Sequence, residues 1–421
     1  MGGVAPGASN QLCAGAIPRG TGLCAHAAAT GLLRIRGGSC YSSREPQDSE
    51  DDLLKEPQEY ARRILVTGGC GFMGSYLVDR LVSRYEDYLI VVLDVLDECG
   101  SLEHLRGALG QPNCIFVRGD IRDEQTVAGV LKDYAVDTVL HLAAQTSVDH
   151  SFKDPAVFAQ VNVIGTQRML ECCRKSSSLR LFLHCSTDEV CGEVGGDAAV
   201  TEDCPMRPTN PYSASKAAAE LLVQGYMKSF QLPCIVTRCV NVYGGRQFPE
   251  KVIPKFIMRC RRGEPCCVHG DGQARRSFIF VEDVAEAFDL IVHQGKVGNI
   301  YNIGSRDCVS VREIADSICA ATGQPGNIET VRDRLYNDCR YALDCSKLET
   351  LGWRQKTSFA EGLQRCLEWY EKDDGRSWEP QACEHALLPH SYIDGDGLTS
   401  GVRFVNEDDE LDDALRSAGV F

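Results

Sequence analysis

Residues 64–74 read Ile-Leu-Val-Thr-Gly-Gly-Cys-Gly-Phe-Met-Gly, and this stretch decides the fold. Its apolar beginning predicts a short buried strand, and the glycines that follow it open a helix. The spacing of Gly68, Gly71 and Gly74 permits a tight turn, lets the backbone approach a pyrophosphate and allows the helix to pack closely on the strand. The free N–H groups of a helix N-terminus favour phosphate oxygens. The stretch therefore predicts the first βα turn of a dinucleotide-binding domain.

Asp94 ends the next apolar run of the sequence. A carboxylate at the end of the second strand accepts the ribose hydroxyls of a dinucleotide and repels a 2′-phosphate, so NAD is favoured over NADP. Further candidates follow the third and fourth predicted strands, because open α/β sheets bind ligands at the carboxyl ends of their strands. The predicted NAD site comprises Gly68, Gly71, Phe72, Met73, Gly74, Asp94, Asp120, Ile121, Leu142, Ala143 and Ala144.

Short apolar runs alternate with segments of helical period over the first half of the chain. This alternation predicts an α/β fold with a doubly wound parallel sheet of the Rossmann type. After residue 240 the pattern becomes less regular, as expected of a smaller C-terminal lobe that binds substrate, although residues 298–302 have the composition of a strand that returns to the main sheet. The predicted strands lie at residues 64–66, 89–93, 114–117, 138–142, 181–184 and 235–237.

The predicted domain organisation has four parts. Residues 1–59 form an N-terminal extension, and an NAD-binding domain covers residues 60–240, with residues 277–303 returning to it. A substrate-binding lobe covers residues 241–373, and an acidic tail follows from 374 to 421. Residues 1–44 contain four arginines and no acidic residue, which is typical of an organelle transit peptide but equally compatible with a plain disordered extension. We expect a cytoplasmic protein, or an organellar one if this segment is cleaved.

Composition excludes several classes of protein. The 421 residues are 43% hydrophobic, which is enough to bury a large core. The 44 basic against 59 acidic residues give a net charge of −15, which disfavours nucleic-acid and anionic-membrane partners. No apolar run is long enough to span a bilayer. The 22 cysteines contain no Cys-x-x-Cys motif, so we expect no metal site and interpret most of the thiols as small buried residues in a reducing compartment.

Tyr212 and Lys216 stand four residues apart at the start of a predicted helix, after Pro208 and Pro211. They therefore lie on one helical face, where both could contact the cofactor. An ammonium group and a nicotinamide cation beside a phenol would favour its ionised form and make it a general base. A tyrosine and a lysine at this spacing are also common in ordinary amphipathic helices, so the pair alone does not establish a catalytic site.

The segment Thr187-Asp188-Glu189 follows the predicted strand at 181–184. Two adjacent carboxylates beside a hydroxyl can act as acid and base on different parts of one substrate. The alternative interpretation is a helix cap with an acidic first turn. With Tyr212 and Lys216, these three residues complete the predicted catalytic set.

Several motifs together resemble the extended short-chain dehydrogenases/reductases, and more narrowly the nucleotide-sugar 4,6-dehydratases. The motifs are TGGCGFMGS, HLAAQTSVD, CSTDEV, PTNPYSASKAAAE, NVYGGRQFPEKVIPKF and YNIG, and the resemblance covers residues 62–393. Within that family the chain is most similar to the dehydratase portion of plant-type rhamnose synthases, which act on UDP-glucose, and next to dTDP-glucose 4,6-dehydratases.

The resemblance implies a hydro-lyase that converts a nucleoside-diphosphate glucose to its 4-keto-6-deoxy sugar in rhamnose or deoxysugar biosynthesis. Tyr212, aided by Thr187 and Lys216, would take the proton of the C4 hydroxyl, while Glu189 would act as the C5 base and Asp188 as the acid at C6. NAD would be regenerated in each turnover, and the protein would be a homodimer. The resemblance also assigns substrate binding to Thr187, Asn241, Lys251, Arg276, Asn302, Arg334 and Asn337.

The chain departs from the family pattern at four positions. Ser147 and Cys191 replace a His and a Tyr near the expected site, Val95 replaces a Lys after Asp94, and Leu335 replaces a Pro. We expect altered affinity rather than lost chemistry from these changes. Two alternatives stay open: a 4-epimerase or decarboxylase of the same fold, which would not need the adjacent carboxylates, and a catalytically impaired NAD-binding or redox-sensing protein.

Overall fold

The computed structural model describes residues 59–193, 199–332, 343–373 and 375–389, together with the backbone of two short strands nearer the N-terminus. The strands are β1 Ala25–Ala27, β2 Leu33–Arg36, β3 Arg62–Thr67, β4 Tyr88–Asp94, β5 Cys114–Arg118, β6 Thr138–His141, β7 Leu181–Thr187, β8 Cys234–Cys239, β9 Asn241–Tyr243, β10 Cys266–His269, β11 Arg275–Phe280, β12 Ile300–Ile303, β13 Cys308–Ser310 and β14 Ile328–Val331.

The helices alternate with the strands of the first half and dominate the second. They are α1 Phe72–Arg84, α2 Arg106–Leu109, α3 Glu124–Asp133, α4 Val148–Lys153, α5 Pro155–Phe158, α6 Thr166–Lys175, α7 Pro211–Phe230, α8 Val252–Arg261, α9 Val281–Gln294, α10 Val311–Ala321, α11 Ser346–Glu349, α12 Phe359–Asp373 and α13 Pro380–Ala386. A π-helical turn, Ala159–Gly165, joins α5 to α6, and 3-10 turns cover Leu102–Leu105 and Asp188–Cys191.

Seven parallel strands form the centre of the main sheet, in the order β5-β4-β3-β6-β7-β8-β12. This is the predicted doubly wound arrangement, and its topological switch point lies between β3 and β6. All six predicted strands are present. The strand predicted to return to the sheet is confirmed as well, since β12 pairs with β8 and places Ile300 opposite Val236.

The N-terminal edge of this sheet was not predicted. Strand β2 pairs antiparallel with β5, and β1 pairs antiparallel with β2. Both strands fall within the segment whose composition suggested a transit peptide or a plain extension. Their backbone pairing extends the sheet to nine strands.

Apolar side chains bury both faces of the main sheet. One face packs on α1 and α9 through residues such as Leu77, Val92 and Phe288, and the other packs on α3, α6 and α7. Strands that are covered on both faces are continuously apolar, as all seven buried residues of β4 show. Among the helices of the described segments, none is long and apolar enough to cross a membrane.

A second, smaller core lies beyond residue 240. It gathers α8, α10 and α12 around β10 and β11, with Phe256, Ile318 and Tyr370 among its fully buried members. Residues 375–389, which the sequence assigned to an acidic tail, are folded onto this core, where Trp378 and Leu387 are buried. The six acidic residues within positions 407–413 lie outside the described residues.

Candidate active site

A cavity of about 1170 Å³ opens at the carboxyl ends of the parallel strands and extends to the smaller core. It brings together side chains and backbone from widely separated parts of the sequence. Every residue predicted for the cofactor site and every one of the predicted catalytic residues lines this cavity. The wall therefore contains Gly68, Gly71, Phe72, Met73, Gly74, Asp94, Asp120, Ile121, Leu142, Ala143, Ala144, Thr187, Asp188, Glu189, Tyr212 and Lys216.

The glycine-rich turn is built so closely that side chains would not fit. Gly68 has a φ of +69°, and a Cβ on it would come within 2.8 Å of the Ala143 backbone on the neighbouring strand's end. A Cβ on Gly74 would overlap the carbonyl oxygen of Gly68. The turn therefore presents bare backbone and the N-terminus of α1 to the cavity, as a pyrophosphate requires.

Asp94 stabilises the same turn from the end of β4. Its carboxylate accepts hydrogen bonds from the backbone N–H groups of Cys70 at 2.9 Å and Leu96 at 2.8 Å. Burial raises the pKa of Asp94 to about 6. Both oxygens are therefore oriented by backbone donors while the group lines the cavity. Asp120 is held differently, by a 2.6 Å ion pair to Arg122.

Helix α7 presents Tyr212 and Lys216 in its first turns. Asn210 and Ser213 form a capping box at its start, with Pro211 in the first turn, an arrangement that fixes where a helix begins. The Lys216 Nζ donates to the Cys185 carbonyl oxygen on β7 at 2.7 Å. This contact fixes the ammonium group at the end of the strand that carries Thr187.

The protein alone does not ionise Tyr212. Burial raises the pKa of its phenol well above the ordinary value, and the nearby Glu189 raises it further, whereas Thr187 lowers it. Burial also lowers the pKa of Lys216. The predicted effect of Lys216 on the phenol is therefore outweighed, in the protein by itself, by desolvation and by negative neighbours.

The two carboxylates follow β7 in a short 3-10 turn. The Thr187 hydroxyl donates to Asp188 Oδ1 at 3.0 Å and accepts the Glu189 backbone N–H at 3.2 Å. The Asn210 side-chain amide donates to Glu189 Oε2 at 3.3 Å. The threonine thus caps this turn, as the alternative interpretation of a helix cap with an acidic first turn predicted. Both carboxylates nevertheless line the cavity together with Tyr212.

The predicted substrate residues divide into three groups. Asn241, Lys251 and Arg276 line the cavity, and the Lys251 Nζ also donates to the Thr146 carbonyl oxygen at 2.8 Å. Asn302 does not line it. Its buried amide donates to the carbonyl oxygens of Val200 and Asp344 and so joins β12 to neighbouring segments, while its assignment to substrate binding stays a prediction. The other two assignments, Arg334 and Asn337, lie outside the described residues, as does Leu335.

Three of the residues that depart from the family pattern, Cys191, Ser147 and Val95, differ in their position relative to the cavity. Cys191 lies behind the cavity wall with 2% of its surface exposed, and Arg238 donates to its sulfur at 3.7 Å. Ser147 does line the cavity, where its hydroxyl caps α4 by accepting the His150 N–H at 3.3 Å. Val95 lines the cavity and is exposed. Cys191 is therefore near the site, in the same 3-10 turn as Asp188 and Glu189, but its side chain does not line the cavity.

Two residues that hold the site together were missed from the sequence. Asn210 connects the α7 cap to Glu189, and the Asn-Pro pair at 210–211 was the available signal. Asn162, in the π-helical turn, bonds both backbone groups of Gln145 and the hydroxyl of Ser215. No local pattern indicates Asn162, because its partners lie 17 and 53 residues away.

This geometry agrees with comparison to known proteins. The profile of one family, described as GDP-mannose 4,6 dehydratase, matches residues 65–366. The chain belongs to this family. It is 40% identical over 348 residues to the dTDP-D-glucose 4,6-dehydratase of Mus musculus, an alignment that covers 81% of this chain and 97% of the mouse protein.

This member of the GDP-mannose 4,6-dehydratase family is also similar to two further proteins. It is 44% identical over 344 residues to the trifunctional UDP-glucose 4,6-dehydratase/UDP-4-keto-6-deoxy-D-glucose 3,5-epimerase/UDP-4-keto-L-rhamnose-reductase of Arabidopsis thaliana, covering 81% of this chain and 50% of that protein. The chain thus spans about half the length of these plant relatives. The dTDP-glucose 4,6-dehydratase DesIV of Streptomyces venezuelae, solved with NAD and TYD bound, matches with a TM-score of 0.72 and 37% identity, over 76% of this chain and 99% of DesIV.

Proposed function

We propose that the cavity binds NAD. A Cβ at Gly68 or Gly74 would collide with backbone, so the turn packs closely and holds the N-terminus of α1 at the cavity, where its N–H groups would bind a pyrophosphate. Asp94, at the end of β4, would accept the ribose hydroxyls. Ala143 and Ala144 are small enough for the cofactor to lie against their backbone. Bound NAD would supply reversible hydride acceptance, and its nicotinamide cation would add the positive charge that the Tyr212 phenol lacks.

The proposed reaction is dehydration of a nucleoside-diphosphate glucose to the 4-keto-6-deoxy sugar. The observation that carries this proposal is the position of Asp188 and Glu189, two adjacent carboxylates that line the same cavity as Tyr212 and Lys216. Oxidation at C4 alone requires only the tyrosine and lysine. Loss of water across C5 and C6 requires in addition one base and one acid, and the adjacent carboxylates provide both.

Each residue has a defined proton to move. Tyr212 takes the proton of the C4 hydroxyl as the C4 hydrogen leaves as hydride, which forms a 4-ketone. The ketone acidifies the C5 hydrogen, so Glu189 removes that proton while Asp188 protonates the departing C6 hydroxyl, and water leaves. The hydride taken from C4, which bound NAD would carry, then returns to C6. Glu189 returns a proton to C5 after exchange with solvent, and the proton that Tyr212 took replaces the one that Asp188 gave to the departing hydroxyl. The Thr187 hydroxyl keeps Asp188 in place throughout through its 3.0 Å bond.

The part of the chain beyond residue 240 would bind the nucleotide diphosphate. Arg276 suits phosphate oxygens through its planar guanidinium, and Lys251 supplies a point charge near the Thr146 carbonyl. Asn241 adds an amide on the same wall. Arg334 and Asn337 remain proposed from resemblance. We favour UDP-glucose over dTDP-glucose because of the plant relatives, and place the reaction in rhamnose or deoxysugar biosynthesis.

The test is turnover in heavy water. Purified protein with NAD is incubated with UDP-glucose and dTDP-glucose in parallel, and product mass is followed. Loss of one water with one solvent deuterium retained at C5 supports the dehydratase, and the faster substrate names the nucleotide. Recovery of an intact hexose as an epimer would contradict the proposal. Asp188→Asn should oxidise C4 without losing water, which separates a failed elimination step from a failed fold.

The redox-sensing alternative receives no support from Cys191. A sensor thiol is exposed and has a lowered pKa, whereas burial raises the pKa of Cys191 to about 12. The thiol is also covered by Arg238. Slow labelling of Cys191 by thiol reagents in the folded protein would agree with a structural role.

We propose a homodimer that works in a reducing compartment, the cytoplasm. Helix α7 exposes the apolar side chain of Leu221, as expected of a helix that packs against a second copy. Leu221→Glu should convert a dimer into monomers in sedimentation.

The cysteines of the described segments are all free and most are buried, which suits a reducing environment. Localisation of fluorescent fusions with and without residues 1–44 tests the compartment.

A further inference from the structure

Three cysteines meet inside the smaller core, far from the proposed chemistry in sequence and outside the cavity wall. Cys260 lies near the end of α8, Cys266 begins β10, and Cys319 lies near the end of α10. Their sulfur atoms are 3.3, 3.7 and 3.6 Å apart, in the pairs 260–266, 260–319 and 266–319. All three residues are fully buried. The three thiols therefore form a closed triangle contributed by three separate elements.

The size of this triangle fits a metal ion. A disulfide would bring two sulfurs to about 2.05 Å, which none of the three pairs approaches. A tetrahedral ion with metal–sulfur bonds of about 2.3 Å places its sulfur ligands about 3.8 Å apart. The observed distances are within a few tenths of an ångström of that value, so only a small outward shift of the thiols would admit the ion.

The chemistry of the three donors selects the kind of ion. Thiolates are soft ligands that prefer Zn²⁺, Cu⁺ and their heavier congeners to Mg²⁺ or Ca²⁺. Among the described residues, no fourth His, Cys, Asp or Glu completes the group. An ion without a strong geometric preference is therefore required, which is a property of filled d shells. We propose that Cys260, Cys266 and Cys319 bind one thiophilic d¹⁰ metal ion, of the class of Zn²⁺ or Cu⁺.

Binding would join the ion to three thiolates, because each thiol gives up its proton to solvent as its metal–sulfur bond forms. Arg259, which adjoins Cys260 in α8 and pairs with Glu264, would offset part of the negative charge that remains.

A metal at this position would brace the wall that is proposed to bind substrate. Strand β10 continues from Cys266 to His269, and both Cys267 and His269 line the cavity. The ion would tie the beginning of this strand to α8 and α10. Its contribution is therefore structural, and it involves no step of the proposed dehydration, so the two proposals can fail independently.

The experiment uses Cd²⁺ as the probe on the full chain. Protein that has been reduced and stripped with a chelator is titrated with Cd²⁺, and the ultraviolet charge-transfer absorption of cadmium–thiolate bonds is recorded. We expect about one Cd²⁺ per chain with the intensity of three thiolates. Cys266→Ser and Cys319→Ser should each weaken binding by at least about tenfold, because a hard hydroxyl replaces a soft ligand.

Cys366→Ser is the matched control, because it changes another fully buried cysteine of the same core, on α12, that neither belongs to the triangle nor lines the cavity. It should bind Cd²⁺ like the unaltered protein. Circular dichroism and cooperative unfolding in urea show that each variant has folded, and competition by Zn²⁺ and by Cu⁺ identifies the preferred ion. Equal Cd²⁺ absorption in Cys266→Ser and the unaltered protein would overturn the proposal. So would a reduced, folded protein that takes up no metal.

Discussion

Asn210 holds Glu189 with one end of its side-chain amide and the start of helix α7 with the other. Its Oδ1 accepts the Ser213 backbone N–H at 2.8 Å, and its Nδ2 donates to Glu189 Oε2 at 3.3 Å. The helix that carries Tyr212 and the turn that carries Glu189 are therefore positioned by a single residue. A proposed base for C4 oxidation and a proposed base for C5 thus share one support.

Replacing Asn210 by Asp should separate these two roles. The aspartate keeps an oxygen to cap α7, so stability should stay within about 0.5 kcal/mol, but it loses the donor to Glu189 and brings a second negative charge. We expect kcat to fall at least about tenfold with little change in the NAD dissociation constant. Asn210→Ala is the control that also removes the cap, and it should cost about 1 kcal/mol in urea unfolding. An Asn210→Asp enzyme with full kcat would show that Glu189 needs no such support.

Gly74→Ala should abolish NAD binding. The added Cβ would overlap the Gly68 carbonyl oxygen, so the turn must move away from the position in which it faces the cavity. We expect the NAD dissociation constant, measured by calorimetry, to rise by about 100-fold or more. Gly129→Ala, inside α3 with open space around the added Cβ, should instead leave NAD binding unchanged and stabilise the protein by about 0.5–1 kcal/mol.

Asp94 should make both stability and NAD affinity depend on pH. Its folded pKa of about 6 lies above the ordinary value of 3.8 for an aspartate, so the folded protein binds the proton more tightly than the unfolded chain. The free energy of unfolding should therefore fall as pH rises from about 4 to about 6, by up to roughly 3 kcal/mol. NAD affinity should change in the opposite direction, because the ionised carboxylate accepts the ribose hydroxyls.

The measurement for Asp94 is unfolding by urea and NAD titration between pH 4 and pH 8. Asp94→Asn should remove the part of both pH profiles that arises from this group, since an amide does not titrate in this range. Parallel profiles for the variant and the unaltered protein would exclude Asp94 as the source.

Asn162 should matter more for the site than its position in a helix suggests. It is fully buried, and its amide bonds the N–H and the C=O of Gln145 at 2.8 and 2.9 Å and the Ser215 hydroxyl at 2.9 Å. Asn162→Ala leaves buried polar groups without partners, which costs about 1–3 kcal/mol. It should also raise the KM for the nucleotide sugar, because the Gln145 backbone lines the cavity. Ser215→Ala removes only one of the three bonds and should have a smaller effect on both.

The sequence predicted the main sheet and the cofactor turn well because both have local signatures. Buried parallel strands are continuous apolar runs, as in β4, and Gly71 and Gly74 are required by the Gly68 carbonyl oxygen, which lies a few residues away in the same turn. The pair Tyr212 and Lys216 and the carboxylates of β7's end were found for the same reason. Each of these features repeats a short pattern whose physical cause lies within one element.

No local signal was available where contacts between distant residues decide a side chain's surroundings. The Asn302 side-chain amide donates hydrogen bonds to the carbonyl oxygens of Val200 and Asp344, which lie 102 and 42 residues away. The small sheet in which β10 pairs with β14 joins segments about 60 residues apart. The pattern of apolar residues along the sequence does not predict this pairing. The triangle of Cys260, Cys266 and Cys319 was missed because a metal-ligand motif was sought at short spacing, whereas packing of α8 on α10 brings these cysteines together.

Cys191 is predicted to act through packing alone, although its position in the sequence adjoins the catalytic segment. Its sulfur accepts a hydrogen bond from Arg238, whose guanidinium forms a fully buried 2.6 Å ion pair with Glu220 on α7. Cys191→Ser should therefore leave the KM for the nucleotide sugar and kcat within about twofold. Glu220→Gln should be far more damaging, because it leaves the buried Arg238 charge without its partner at a cost of about 3–5 kcal/mol. Urea unfolding and steady-state kinetics on both variants test this contrast, and a large change in KM for Cys191→Ser with unaltered stability would place the thiol in substrate binding after all.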